Sequence, residues 1–191
     1  MDLTKQIEQL SVIDAAERHA AAAELFQLGR DAAVRSSQQW WNDSEIASLL
    51  GKEPRVTVGV AVTPKTFAKI RAANEMPRLA TAPPDQDAQE FELHFSGNVS
   101  LDVLTTKEPA GDGAIAKYLR KFGEGVQQVE FLCLDVDRST QILGEKFGIK
   151  AVYPATREGA DGSLVNFFLV GSPGEAKVLI ELYQPDRSRI Y

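Results

Sequence analysis

The chain has 191 residues, 43% of them hydrophobic and 25% charged, enough for one large domain or two small modules sharing a core. Lys and Arg number 21 against 27 Asp and Glu, and the resulting net charge of −6 excludes a globally basic surface for nucleic acid or an anionic membrane. The lone Cys133 excludes an internal disulfide and a cysteine-rich zinc site, and two histidines, His19 and His94, are too few for a centre of three imidazoles. No apolar run reaches the roughly 18 residues of a membrane span, and the N-terminus is charged and amphipathic rather than a signal peptide. The chain therefore reads as a soluble, cytoplasmic protein.

Residues 2–39 are mostly strong helix formers. Leu3, Ile7, Leu10 and Ile13 precede an alanine-rich run through Ala33, a spacing that predicts an amphipathic helix broken near Ser11 or Gly29. A shorter helix follows, with Asn42 and Glu45 as its capping box, Ile46, Leu49 and Leu50 as its apolar face, and Gly51 as its stop. Trp40 and Trp41 at the joint either anchor this helical arm, residues 1–53, or provide a dimer contact or lid.

From Pro54 the period changes. Residues 55–62 alternate as a half-buried strand, and Thr63-Pro64 caps and opens a helix through Ala73. A strand near Pro77–Ala82 ends at Pro83 and Pro84, and residues 85–88 form a loop. Glu90–Phe95 and Val99–Leu104 form a hairpin across Ser96-Gly97-Asn98. Asp112 caps a linker helix, 113–122, which Gly123 ends. The order then repeats: a strand over Val126–Asp135, a helix from its cap Asp137 to Phe147, and a short strand at Lys150–Tyr153. Leu164–Val170 and Lys177–Tyr183 close the copy as a hairpin around Ser172-Pro173-Gly174. An α+β fold of two β-α-β-β-β modules, residues 54–106 and 124–185, follows from this repeat, since each copy alone would leave one sheet face bare.

Strand alternation assigns side chains to faces. Val56, Val58, Val60 and Val62 face the helices, as do Val129, Phe131 and Cys133, while Ile180 and Leu182 pack inward. Thr57, Gly59, Ala61, Gln128, Glu130, Leu132, Leu179, Glu181 and Tyr183 face a cleft. Asp102, between Leu101 and Val103, is a polar residue that is costly to bury without a partner.

The doubled unit with polar residues on the outer strands of each copy resembles the vicinal oxygen chelate superfamily, which includes the glyoxalase and bleomycin-resistance families. Leu101-Asp-Val-Leu-Thr-Thr and the stretch Gly113-Ala-Ile-Ala-Lys-Tyr-Leu-Arg-Lys-Phe-Gly-Glu-Gly-Val-Gln-Gln-Val-Glu-Phe are most similar to methylmalonyl-CoA epimerases, over about residues 55–185. The resemblance implies metal ligands at Thr57, Asp102, Gln128 and Glu181. Gln127-Gln128 and Thr57 replace the usual histidines, and only Glu181 in Leu-Ile-Glu-Leu-Tyr is retained. It also implies two carboxylate bases: Glu181, and a position just before the third strand where the direct match is Ala88 and Asp87 is its neighbour.

Imidazole is the common ligand for mid-row metals, and Thr or Gln is far weaker, so the metal set reads as degenerate. A divalent ion (Mg, Mn, Ni or Zn, none favoured) remains compatible with the carboxylates. Glu181, Glu130 and His94 are the candidate catalytic groups. His94 shares its strand face with Glu90 and Glu92, and Arg157, Asn166 and Tyr183 are candidate ligand contacts. Asp102, Glu130 and Glu181, brought together without a metal, would raise a carboxyl pKa by mutual repulsion. Cys133 reads as a core thiol, and Gly111, Gly113, Gly123 and Gly125 lack the spacing of a phosphate-binding loop. Two functions remain: a glyoxalase-like small-molecule binder, or a metal-dependent lyase, isomerase or epimerase acting on a small carboxylate or acyl thioester. A homodimer with the arm in its contact is expected.

Overall fold

The computed structural model describes residues 2–83, 85–171 and 177–186, and is of the α+β class expected from the sequence. The chain divides into two compact units, Met1–Gly29 with Thr57–Gln127 and Arg30–Val56 with Gln128–Tyr191. The N-terminal helical segment is thus shared between them, the boundary falling inside one helix.

In the first unit α1 (Leu3–Gln9) is capped by Asp2, and the chain breaks at residues 10–14 before α2 (Ala15–Ser37). The break lies near Ser11 and not at Gly29, through which α2 runs unbroken. A Cβ on Gly29 would lie 2.6 Å from Val58 Cγ1, so glycine serves close packing there. β1 (Val56–Ala61), which follows α3 (Ser44–Leu50) of the other unit in the chain, leads into α4 (Pro64–Ala73). Thr63 accepts the Thr66 N–H as N-cap, as its sequence predicts. Antiparallel β2 (Gln89–Phe95) and β3 (Val99–Thr105) turn through Gly97 and Asn98, both at positive φ, and β3 pairs parallel with β1. The sheet order in this unit is β2-β3-β1.

The expected strand near Pro77–Ala82 does not form. Ala80 N–H bonds Glu90 O of β2, but Pro77 at the segment's start and Pro83 just after it have no N–H to offer a ladder. Phe67 and Ile70 of α4 cover the Val58, Val60, Val103 face, with Phe67 against Phe91 at 4.7 Å. α5 (Ala114–Phe122) covers the other face at one end, its Ile115 packing with Ala61, Ala88 and Leu104. Its N-cap is Gly113 rather than Asp112: a Cβ at 113 would press on Asp87 Oδ2 at 2.8 Å.

In the second unit α3 (Ser44–Leu50) is capped by Asp43, not Asn42, and α6 (Val136–Phe147) by Asp135, not Asp137. Lys146 bonds Asp43 Oδ2 at 2.8 Å, which draws a carboxylate rather than an amide to the α3 N-terminus. Asp137 falls in the first turn of α6 and takes the Thr156 hydroxyl instead. β4 (Gly125–Leu132) starts in the first unit and stops short of the expected Asp135. It pairs parallel with β7 (Val178–Gln184), which pairs antiparallel with β6 (Leu164–Val170), and β6 with the two-residue β5 (Arg157–Glu158), in the order β4-β7-β6-β5. Lys150–Tyr153 is no strand: Ala151 makes one isolated bridge to Phe168. The turn expected at Ser172-Pro173-Gly174 lies outside the described residues.

Trp40, fully buried, meets Phe131 and Phe168 edge-on at 6.2 and 6.5 Å. Trp41 meets Phe131 at 5.8 Å and donates its indole N–H to Gly51 O. The pair anchors the second unit's core, and Trp40 has no surface left for a lid or dimer contact.

Candidate functional site

The two-residue period divides the second unit's sheet. Val129, Ile180, Leu182, Asn166 and Phe168 are buried on one side. Gln128, Glu130, Glu181, Tyr183, Phe167 and Arg157 share the other. Glu130 stands opposite Glu181 in the parallel β4–β7 ladder, where two like charges repel. An amide intervenes: Gln128 Nε2 donates to Glu181 Oε2 at 2.6 Å and to Glu130 Oε1 at 3.3 Å. Glu181 is only 7% exposed, whereas Gln128 and Glu130 are half-buried, so these charge-assisted bonds are partly withdrawn from water.

Farther along this face Arg157, Val165 and Tyr183 occupy one register row. Arg157 lies in β5 rather than in a loop, and its guanidinium stacks 4.5 Å from the Tyr153 ring centroid. Tyr153 meets Phe167 edge-on at 5.8 Å. The face thus offers carboxylates to a ligand's donors, a guanidinium to its acceptors and aromatic walls to its apolar part. Tyr153 and Phe167 were not singled out in the sequence. Phe167 was within reach, since it alternates with Asn166 and so takes the opposite face.

Asn166 is not on this face. It is fully buried, with Oδ1 accepting the Phe167 N–H and Nδ2 within 3.5 Å of Thr140 Oγ1, and so stabilises the core beside α6. Cys133 is buried as expected, 3.0 Å from Ser139 Oγ, and burial pushes its thiol pKa up.

The other residues singled out from the sequence belong to the first unit. Asp102 is buried opposite Gly59, on the face it shares with half-buried Thr57. His94 is exposed on β2, 2.9 Å from Glu92 and 3.1 Å from Ser100 Oγ, an arrangement that strand alternation alone accounts for. Ala88, where the family resemblance implies a second base, is packed against Ile115 and Leu104. Its neighbour Asp87 is occupied: its carboxylate accepts the Lys107 and Glu108 N–H groups and the Thr106 hydroxyl, pinning the loop ahead of α5.

The divalent metal that the family resemblance implies does not fit the donors in the second unit. The group between Glu130 and Glu181 is an N–H donor, which a cation would have to displace, and no imidazole is present. Among the described residues no three His, Cys, Asp or Glu side chains gather into a set that could hold a metal ion.

No protein-family model matches the sequence, and no curated protein does. Solved structures do. Methylmalonyl-CoA epimerase from Mycobacterium tuberculosis is 27% identical, with a TM-score of 0.55 over 69% of this chain and 87% of its own. A methylmalonyl-CoA epimerase in complex with methylmalonyl-CoA and NH4+ is 25% identical, with a TM-score of 0.52 over 69% and 93%. The Streptomyces coelicolor enzyme in complex with 2-nitronate-propionyl-CoA is 25% identical, with a TM-score of 0.53 over the same shares. Fold, repeat and these likenesses place the chain in the vicinal oxygen chelate, or glyoxalase/bleomycin-resistance, superfamily, related to methylmalonyl-CoA epimerase at low identity.

Proposed function

We propose that the chain is a small-molecule-binding member of this superfamily whose metal position has been taken over by a carboxamide held between two carboxylates. The observation that carries the reading is the pair of bonds from Gln128 Nε2 to Glu181 and Glu130. An N–H donor fixed between cross-strand carboxylates offsets their repulsion as a cation would, without a vacant coordination position. The ligand lies on the face built from Glu181, Glu130, Tyr183, Arg157, Tyr153 and Phe167. Thr57 and Asp102 are then remnants of the ligand set. Ala88, where the family's second base would stand, further favours binding over epimerisation.

Elemental analysis of untagged protein soaked in Mg²⁺, Mn²⁺, Ni²⁺ and Zn²⁺ tests the reading. Substoichiometric metal in the parent, unchanged in Glu181→Gln, is the expected result. One metal per chain, lost in Glu181→Gln, overturns it in favour of a metal-dependent lyase, isomerase or epimerase acting on a small carboxylate or acyl thioester.

The same reading takes the chain as a cytoplasmic homodimer, and among the described residues no helix is long and apolar enough to cross a membrane. Light scattering should give about twice the 20.9 kDa chain mass, and a mass of one chain refutes the dimer.

A further inference from the structure

A groove of about 860 Å³ opens in the second unit between the C-terminal end of α2, the turn after it, the C-terminal end of α6 and the ends of β6 and β7. Its volume falls within the range of small-molecule pockets. Phe147, Ile149 and Leu169 supply an apolar floor, Leu169 being 53% exposed, whereas the neighbouring Val170 is 5% exposed and turns to the other face of β6. Three cations, Arg35, Lys150 and Lys177, stand over it with no carboxylate among the described lining residues, although acids outnumber bases in the chain, 27 to 21. Ser36, Gln38, Gln39 and Asn42 add hydroxyl and amide donors. No hydrogen bond or ion pair holds any of these seven side chains among the described residues, whereas Arg138 and Lys146, on nearby α6, are both spent on Asp43 and Glu45.

We propose that this groove binds a small organic anion, an apolar body carrying a phosphate or carboxylate. The cations and amides would share the oxyanion's charge and lone pairs, and the floor would cover the body. Neither component accounts for the groove alone. A bare oxyanion has no use for three apolar side chains, and an uncharged ligand would leave three cations unanswered. Cations near the C-terminal ends of α2 and α6 also suit the helix dipoles, but that role requires neither the amides nor an open apolar floor. None of the groove's polar side chains belongs to the Glu181 group, so the two sites can fail separately.

The test uses 2-naphthyl phosphate, inorganic phosphate and 2-naphthol, titrated into the full chain and followed by amide NMR shifts. Naphthyl phosphate should move amides in residues 35–42, 147–150 and 169–171. It should bind at least about tenfold more tightly than phosphate or naphthol, a ratio equivalent to about 1.4 kcal/mol. Lys150→Gln and Lys177→Gln, both at exposed positions, should together weaken it about tenfold, and added salt should do the same. Glu181→Gln should leave this affinity unchanged. The proposal is overturned by unshifted groove amides at millimolar naphthyl phosphate, by equal affinity for phosphate and naphthyl phosphate, or by undiminished binding in the doubly substituted protein. Cations that only complement helix ends would give that last result together with a loss of thermal stability.

Discussion

Replacing Gln128 by Leu conserves volume roughly and removes the donor between Glu130 and Glu181. A hydrogen bond to a charged group contributes about 1.5–3 kcal/mol. The 2.6 Å bond to nearly buried Glu181 should count in full, and the 3.3 Å bond to half-buried Glu130 should add little. The loss at pH 7 is therefore about 2 kcal/mol. Urea unfolding at pH 7 followed by Trp40 and Trp41 fluorescence reads the loss. Adding Glu181→Gln to the Leu variant should recover most of the stability at pH 7, because it removes one of the facing charges. An unchanged pH 7 stability, or no recovery on adding Glu181→Gln, would refute the account of the amide as a charge bridge.

Trp40→Ala should cost about 3–5 kcal/mol in the same unfolding assay, since it empties the space between Phe131 and Phe168. Gly29→Ala gains about 1 kcal/mol of helix propensity and loses about 2 to overpacking on Val58, a net loss of about 1 kcal/mol that calorimetry should read as a Tm about 3 °C lower. The Lys146 ammonium chiefly lowers the Asp43 pKa, and the Arg138 guanidinium, with Lys146 next, lowers that of Glu45. Folded values below the unfolded ones mean that this stabilisation is complete above the ordinary carboxylate range and is lost as pH falls through the folded values. The stability gap between the parent and Lys146→Ala should thus be full at neutral pH and close under acid.

The strands and their faces were legible because a two-residue period survives wherever one face is buried. Val58 and Val60, or Glu130 and Glu181, came out on the sides the alternation assigned. The caps were placed one or two residues off at Asn42, Asp112 and Asp137, because each segment offers neighbouring candidates and tertiary partners choose among them: Lys146 for Asp43, and the bulk of Asp87 against any side chain at Gly113. The Pro77–Ala82 segment has strand-like composition, but Pro77 at its start and Pro83 just after it bar ladder bonds at both ends. Asn166 carried a polar signal that its burial beside Thr140 explains without a ligand. The amide bridge itself was partly legible. Gln128 and Glu130 are two apart on one strand and so share a face, but only the β4–β7 register puts Glu181 opposite Glu130. Residues far apart in the chain leave no periodic trace of such a pairing.

The most direct test is diffraction from crystals of untagged protein soaked in Mn²⁺, with anomalous scattering measured above the manganese edge. The account predicts no anomalous peak at Glu181, with Gln128 Nε2 still bonded to Glu181 Oε2 near the 2.6 Å found here. A peak at about 2.1 Å from a Glu181 oxygen, with the Gln128 carbonyl turned toward it, would contradict the account and restore a metal centre to this face.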